Sequence, residues 1–211
     1  MARAETVADT RAQIIEAARS RLLDVGHAAL STRKVAEAAK VPLSQLHYHF
    51  GSKQGLLLAV LEDENRRRLD RQTAMYASDH PLWQRYEQAC DYLEDDLDSG
   101  FVRILQEMIA TGWADERIGE AVRSLLRGWF ELLTDVAAEA ESRHGPLGPF
   151  THQETGTLIG LLFMGAESMI LLGFDRHDLP VRSALRRVGL LIRHMEEHGA
   201  TQGGNSAGTA T

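Results

Sequence analysis

Nine histidines and one cysteine are the residues of this 211-residue chain best suited to bind a metal or attack an electrophile. Their setting points elsewhere. A single thiol, Cys90, builds neither an internal disulfide framework nor an all-thiolate metal site, and its apolar helical surroundings suit a small core residue. His47 and His49 stand two apart, which turns them to different sides of a helix. His144, His152, His177, His194 and His198 fall near expected helix ends or loops, where histidine commonly caps or is solvated, so neither a metal nor another cofactor is expected. There is also no phosphate-binding glycine loop and no Gly-x-Ser-x-Gly elbow, and no enzyme is expected.

The chemistry that does concentrate is hydrogen bonding and charge pairing without bond making. It lies in Ser31-Thr-Arg-Lys-Val-Ala-Glu-Ala-Ala-Lys-Val-Pro-Leu-Ser-Gln-Leu-His-Tyr-His-Phe-Gly-Ser-Lys53. Ser31 and Thr32 can cap a short helix through a hydroxyl, and Val35, Ala36 and Ala39 give it one small apolar face. Lys40-Val41-Pro42 breaks it, because the residue before a proline avoids the α region and proline suits a helix's first turn. The next helix, about Leu43 to His49, buries little except Leu46 and Phe50. Ser44, Gln45, His47 and Tyr48 remain polar or amphipathic. Two turns of helix gain little from packing, so its outer face is expected to matter for what it touches. This is the outline of a helix-turn-helix whose second helix enters a major groove.

The elements around that segment are all helical. Apolar residues recur at three and four, and alternating strand patterns are absent. A first helix is expected from about Val7 to Val25, with Ile14, Ile15, Ala18, Leu22 and Leu23 inward and Gly26 as its C-terminal cap. A long helix follows from Gly51 to about Ala77. Further helices are expected at Leu82–Leu97, Phe101–Thr111, Asp115–Ser142, Thr151–Leu172 and Leu179–His198. The pattern therefore predicts an all-α fold of nine or so helices: a three-helix head over residues 1–55, a six-helix body over 56–198 and a disordered tail over 199–211. With no apolar N-terminal signal stretch and no run of about eighteen apolar residues, no membrane partner and a cytoplasmic location are expected.

Charge divides along the same line. Residues 1–55 hold eight Lys/Arg against five Asp/Glu, a balance of +3, whereas the whole chain carries −7. A basic head on an acidic body fits phosphate contacts confined to the head.

The chain resembles the tetracycline-repressor (TetR) family of bacterial transcription regulators. The resemblance is carried by Ile14-Ile15-x-Ala17-Ala18, Gly26, Ser31-Thr32-Arg33-Lys34-Val35-Ala36, Val41, Leu46-His-Tyr-His-Phe50, Ser52-Lys53 and Leu56-Leu57. It implies a homodimer with two heads on successive major grooves of double-stranded DNA, at a palindromic operator. A small-molecule effector in the body would release that operator. Thr32 and Arg33 would then lie against phosphate and a base edge, Leu43, Ser44 and Gln45 would face bases, and His47, Tyr48, His49 and Lys53 would hold the backbone. Three positions depart from the family's pattern: Lys40 replaces a turn glycine and could add a phosphate contact, Pro42 replaces a small hydroxyl residue, and His47 replaces an aromatic.

For the body, Trp83, Tyr86, Trp113, Trp129 and Phe163, with Met108, are candidates to line an apolar ligand cavity, although plain core packing explains each as well. Arg103, four residues before Glu107, could anchor a ligand or form a surface ion pair. The stretch Thr155–Leu172 is nearly apolar all round and is expected to be covered on all sides, partly by a second chain. Gly156, Gly160, Leu161 and Met164 there, and Leu185, Val188 and Ile192 on the last helix, are the expected dimer contacts. A metal-responsive regulator and a ligand-independent DNA binder or activator are the alternatives.

Overall fold

The apolar periodicity is satisfied by helices alone. The computed structural model describes residues 2–174 and 178–202, and the described residues form nine helical elements without a strand. In chain order these are α1 (Ala2–Ala29), α2 (Thr32–Ala38), α3 (Leu43–Phe50), α4 (Lys53–Tyr76), α5 (Leu82–Asp98), α6 (Phe101–Gly112), α7 (Glu116–His144), α8 (His152–Leu171) and α9 (Val181–Gln202). The all-α expectation holds. His177, residues 203–211 of the expected tail and the side chain of Leu23 lie outside the described residues. Gly26 breaks α1 rather than ending it: its φ of 70° and ψ of 172° kink the chain, and helix resumes to Ala29.

The chain resolves into two compact units, residues 1–68 with 96–125, and residues 69–95 with 126–211. In the first, Ile14, Ile15, Ala18 and Leu22 of α1 are buried together with Val35 and Ala36 of α2 and Leu46 and Phe50 of α3. Leu56, Leu57, Val60 and Leu61 of α4 and Val102, Leu105 and Met108 of α6 extend this core. Polar ties accompany it. Arg68 reaches Asp96 and Ser99, each at 2.8 Å, pairs with Glu64, and lays its guanidinium 4.0 Å from the centre of the Phe101 ring.

In the second unit α8 lies directly on α7. A Cβ at Gly156 would come within 2.7 Å of the Thr134 backbone nitrogen, and one at Gly160 would overlap the Phe130 ring. These two glycines, expected at a dimer contact, instead permit close packing inside the chain. Leu185 is likewise buried in its own unit. Within the chain α8 is covered on one side only: Phe163 and Ala166 are buried, whereas Leu158, Leu161 and Leu162, on a helix expected to be covered partly by a second chain, are exposed. By length and composition α8 is apolar enough to cross a membrane. Its start is set by a capping box, in which the Glu154 N–H donates to Thr151 Oγ1 at 3.2 Å and the Thr151 N–H donates to Glu154 Oε2 at 2.9 Å. Glu196 of α9 accepts from the first two backbone N–H groups of α5, Leu82 at 2.8 Å and Trp83 at 3.1 Å.

Candidate nucleic-acid interface and body cavity

The turn between α2 and α3 is closed by two backbone bonds. The Val41 N–H donates to the Ala36 carbonyl at 3.0 Å and the Lys40 N–H to the Glu37 carbonyl at 3.1 Å. This is the Schellman pattern, which needs a left-handed residue just past the helix. Lys40 fills that position with φ 56°, the one non-glycine residue with positive φ among those described. The strain costs about 1 kcal/mol relative to glycine, and it holds a cation at the exposed corner of the motif. Ser31 occupies the N-cap of α2 in extended conformation, but its hydroxyl makes no capping bond, contrary to expectation.

The two faces of α3 differ sharply. Leu46 and Phe50 are buried. Leu43, Ser44, Gln45 and His47 are exposed, and Tyr48 is 78% exposed. Thr32 is half-buried and Arg33 exposed at the start of α2. His47 Nδ1 donates to the Gly51 carbonyl at 3.2 Å and so caps the end of α3. His49 is half-buried. Its Nε2 is buried without a hydrogen-bond partner, and its ring packs edge-on to Tyr48 at 5.2 Å and tilted to Phe50 at 5.9 Å. That nitrogen is therefore not offered outward. Arg11, which the sequence reading passed over, stands exposed on α1 with its guanidinium 5.6 Å from the centre of the Phe50 ring. The junction into α4 is tight: a Cβ at Gly55 would overlap the Phe50 carbonyl oxygen, and the Gly55 N–H donates to Ser52 Oγ at 3.1 Å. Lys53, at the start of α4, is half-buried.

The residues expected around a ligand are divided between the two units. Arg103, Met108 and Trp113 belong to the first unit, where Met108 is core, Arg103 is exposed and Trp113 is 84% exposed. Trp83, Tyr86, Trp129 and Phe163 belong to the second. There Phe163 sits edge-on to both Tyr86 (5.7 Å) and Trp129 (6.4 Å), and Trp129 Nε1 donates to Gln72 Oε1 at 2.9 Å. The second unit holds a cavity of about 100 Å³, whose lining includes Tyr76, Tyr86, Leu133, Thr155, Ile159 and Ile192. Of the expected ligand set, Tyr86 alone lines it. Ile192, expected at a dimer contact, turns into it instead. Aliphatic residues form most of this wall, so a search by aromatic content passes them by.

Cys90 is buried in the same unit, and burial pushes its thiol up to about 11, which leaves it an unreactive core group. His194 and His198, four apart on α9, were overlooked as a pair in the sequence: their rings meet at 4.0 Å, and His198 Nδ1 donates to the His194 carbonyl at 2.9 Å. No group of three or more metal-ligating side chains occurs among the described residues.

Residues 14–60 match the family described as bacterial regulatory proteins, tetR family. No curated protein matches the chain. Solved structures share its fold. A TetR-family transcriptional regulator of Pectobacterium atrosepticum is 24% identical with a TM-score of 0.68, over 90% of this chain and 93% of that one. A Rhodococcus sp. RHA1 protein assigned as a transcriptional regulator is 17% identical with a TM-score of 0.74, over 89% and 98%. A TetR transcription regulator of Haloarcula marismortui is 17% identical with a TM-score of 0.68, over 88% and 96%.

Proposed function

We propose that the chain, whose residues 14–60 match the tetR family of bacterial regulatory proteins, is a DNA-binding transcriptional regulator that acts as a cytoplasmic homodimeric repressor, released from a palindromic operator by a small, largely apolar ligand. The observation that carries the reading is the outer face of α3, where Leu43, Ser44, Gln45, His47 and Tyr48 are exposed while Leu46 and Phe50 anchor the helix from behind. In this reading Ser44 and Gln45 hydrogen-bond base edges and Leu43 makes apolar contact there, for example with a thymine methyl. Thr32, Arg33, Lys40, His47, Tyr48 and Lys53 hold phosphates.

A second copy is supported by the exposed apolar strip on α8 and α9. An open groove of about 460 Å³ runs between these helices, lined by Leu161, Leu162 and Met169 on one side and Ala184 and Val188 on the other. Leu191 adds to the exposed apolar surface of α9. Leu161, Met164 and Val188 stay in the proposed interface, as does Leu185 on the floor of the groove, whereas Gly156, Gly160 and Ile192 serve their own chain. A two-fold dimer presents two heads related by symmetry, which is why the operator should be palindromic. Ligand response is supported by the cavity in the second unit.

The test is selection of bound fragments from a random duplex library, with mass in solution measured alongside. A palindromic site bound by a dimer is expected. No enriched sequence, or a monomer on DNA, overturns the reading.

A further inference from the structure

The cavity of the second unit has a chemistry of its own. Its volume is about 100 Å³, against the ~150 Å³ of an apolar cavity that accepts benzene. Leu82, Leu133, Ile159 and Met195 supply much of its wall, and among the described residues the only ionisable groups on it are the phenols of Tyr76 and Tyr86. Burial pushes both phenols well above the ordinary tyrosine range, so they stay neutral. The Tyr86 hydroxyl is already engaged, donating to the Leu185 carbonyl at 2.9 Å. An ion entering this space would lose its hydration and meet no countercharge on the wall, since buried Arg85 beside it is committed to the Tyr76 carbonyl and to Glu139.

One fully buried polar side-chain atom on the wall is uncommitted. Thr155 Oγ1 is buried and has no hydrogen-bond partner. Elsewhere in these helices Thr111, Thr134, Thr157 and Ser168 each donate to the carbonyl four residues earlier, at 2.8–3.0 Å. Thr155 does not: the corresponding carbonyl, that of Thr151, takes only the Thr155 backbone N–H, at 2.9 Å. A buried hydroxyl without a partner is a standing cost, which a ligand oxygen can remove.

We propose that this cavity binds an uncharged organic oxygen compound, a ketone, aldehyde or alcohol of on the order of five or six heavy atoms, held by apolar contact and by one hydrogen bond to Thr155 Oγ1. The assignment rests on the reading of the protein as ligand-responsive and specifies the chemistry to which it responds. Carboxylates and amines are excluded by the uncharged wall.

The test uses the full-length protein with cyclopentanone as probe, cyclopentane as its apolar counterpart and butyrate as the anion, followed by ligand-observed NMR titration. Cyclopentanone is expected to bind saturably and roughly tenfold more tightly than cyclopentane, the gain of one buried hydrogen bond. Thr155→Val, which keeps the shape and removes the hydroxyl, should close that gap, and Thr155→Ser should retain it. Ala137→Leu, which fills the cavity from α7, should abolish binding of both probes. Absence of saturable cyclopentanone binding, a preference that survives in Thr155→Val, or competition by butyrate overturns the proposal. Operator affinity in the same samples separates the two readings. Thr155-dependent binding with unchanged operator affinity overturns ligand release and leaves the site standing. Release by some other compound, with no cyclopentanone bound, overturns the site alone.

Discussion

Arg19 of α1 extends its guanidinium to the Glu64 carboxylate of α4 at 3.4 Å, and Glu64 also receives Arg68 from the next turn of its own helix. One carboxylate thus ties the first helix of the head to the pair formed by Arg68 and Asp96. Both Glu64 and Arg68 are largely removed from solvent, so the tie is screened less than the surface pairs of α9. Glu64→Ala leaves Arg19 with Glu16 and Arg68 with Asp96 but removes the acceptor they share, and a loss of about 2 kcal/mol is expected in denaturant unfolding. A loss under about 0.5 kcal/mol would class the pair with ordinary surface bridges.

Lys40 separates stability from binding. Lys40→Gly relieves the left-handed strain in the turn and is expected to raise stability by about 1 kcal/mol. The same change should weaken DNA binding and lower the salt slope of log K by about one. A more stable variant with unchanged salt dependence would remove Lys40 from the phosphate contacts.

Gln45 and Lys53 should differ in kind. Gln45→Ala is expected to alter sequence preference more than non-specific affinity, and Lys53→Ala to weaken all sequences alike with a slope change of about one. Competitive binding to specific and random duplexes at several salt concentrations distinguishes them. A parallel fall in both affinities for Gln45→Ala would make it a backbone contact.

Gly160 and Leu161 are neighbours with opposite duties. Gly160→Ala drives a methyl into the Phe130 ring and should cost about 1–3 kcal/mol by overpacking, with no effect on mass in solution beyond that of lost stability. Leu161→Glu, at a site 55% exposed, should spare the protomer's packing and shift mass towards the monomer. Unchanged mass for Leu161→Glu would take this strip out of the dimer contact.

Glu154 gives a pH signature. Its carboxylate is held below the ordinary glutamate value, chiefly by the Thr151 backbone N–H and then by the Thr151 hydroxyl. A lowered folded value means stabilisation that is present above the ordinary glutamate pKa of ~4.3 and lost as pH falls through the lowered one. The stability difference between the protein and Glu154→Gln should therefore change only at the acid end. A difference constant from pH 7 to pH 3 would contradict it.

The head was legible because its signals are local. Leu46 and Phe50 at helical spacing name the buried face of α3, and Pro42 marks its start. His49 was not, because whether an imidazole two positions from an exposed one turns inward depends on Phe50 and Tyr48 packing around it. Gly156 and Gly160 announced a close approach without saying to what, since nothing along α8 reveals that α7 lies beneath it. Trp113 shows that aromatic content does not report burial. Thr155 reads as an ordinary helical threonine, and its missing bond exists only in three dimensions. His194 and His198 stand at four-residue spacing in the sequence, but the meeting of their rings depends on rotamers that the spacing does not fix.

Gly55 has a bearing on how the protein can be retargeted. With no room for a side chain against the Phe50 carbonyl, the seam between α3 and α4 is sterically closed, and Leu46 and Phe50 are fixed by the core. Positions 43, 44, 45 and 48 point outward from that rigid mount, so they form an alphabet that can be rewritten while the mount stays constant. Under the proposed function, descendants of this chain, natural or selected in the laboratory, change the DNA sequence they read by substitution at those four positions, and lineages that lose Gly55 should lose the fold of the head before they gain a new site.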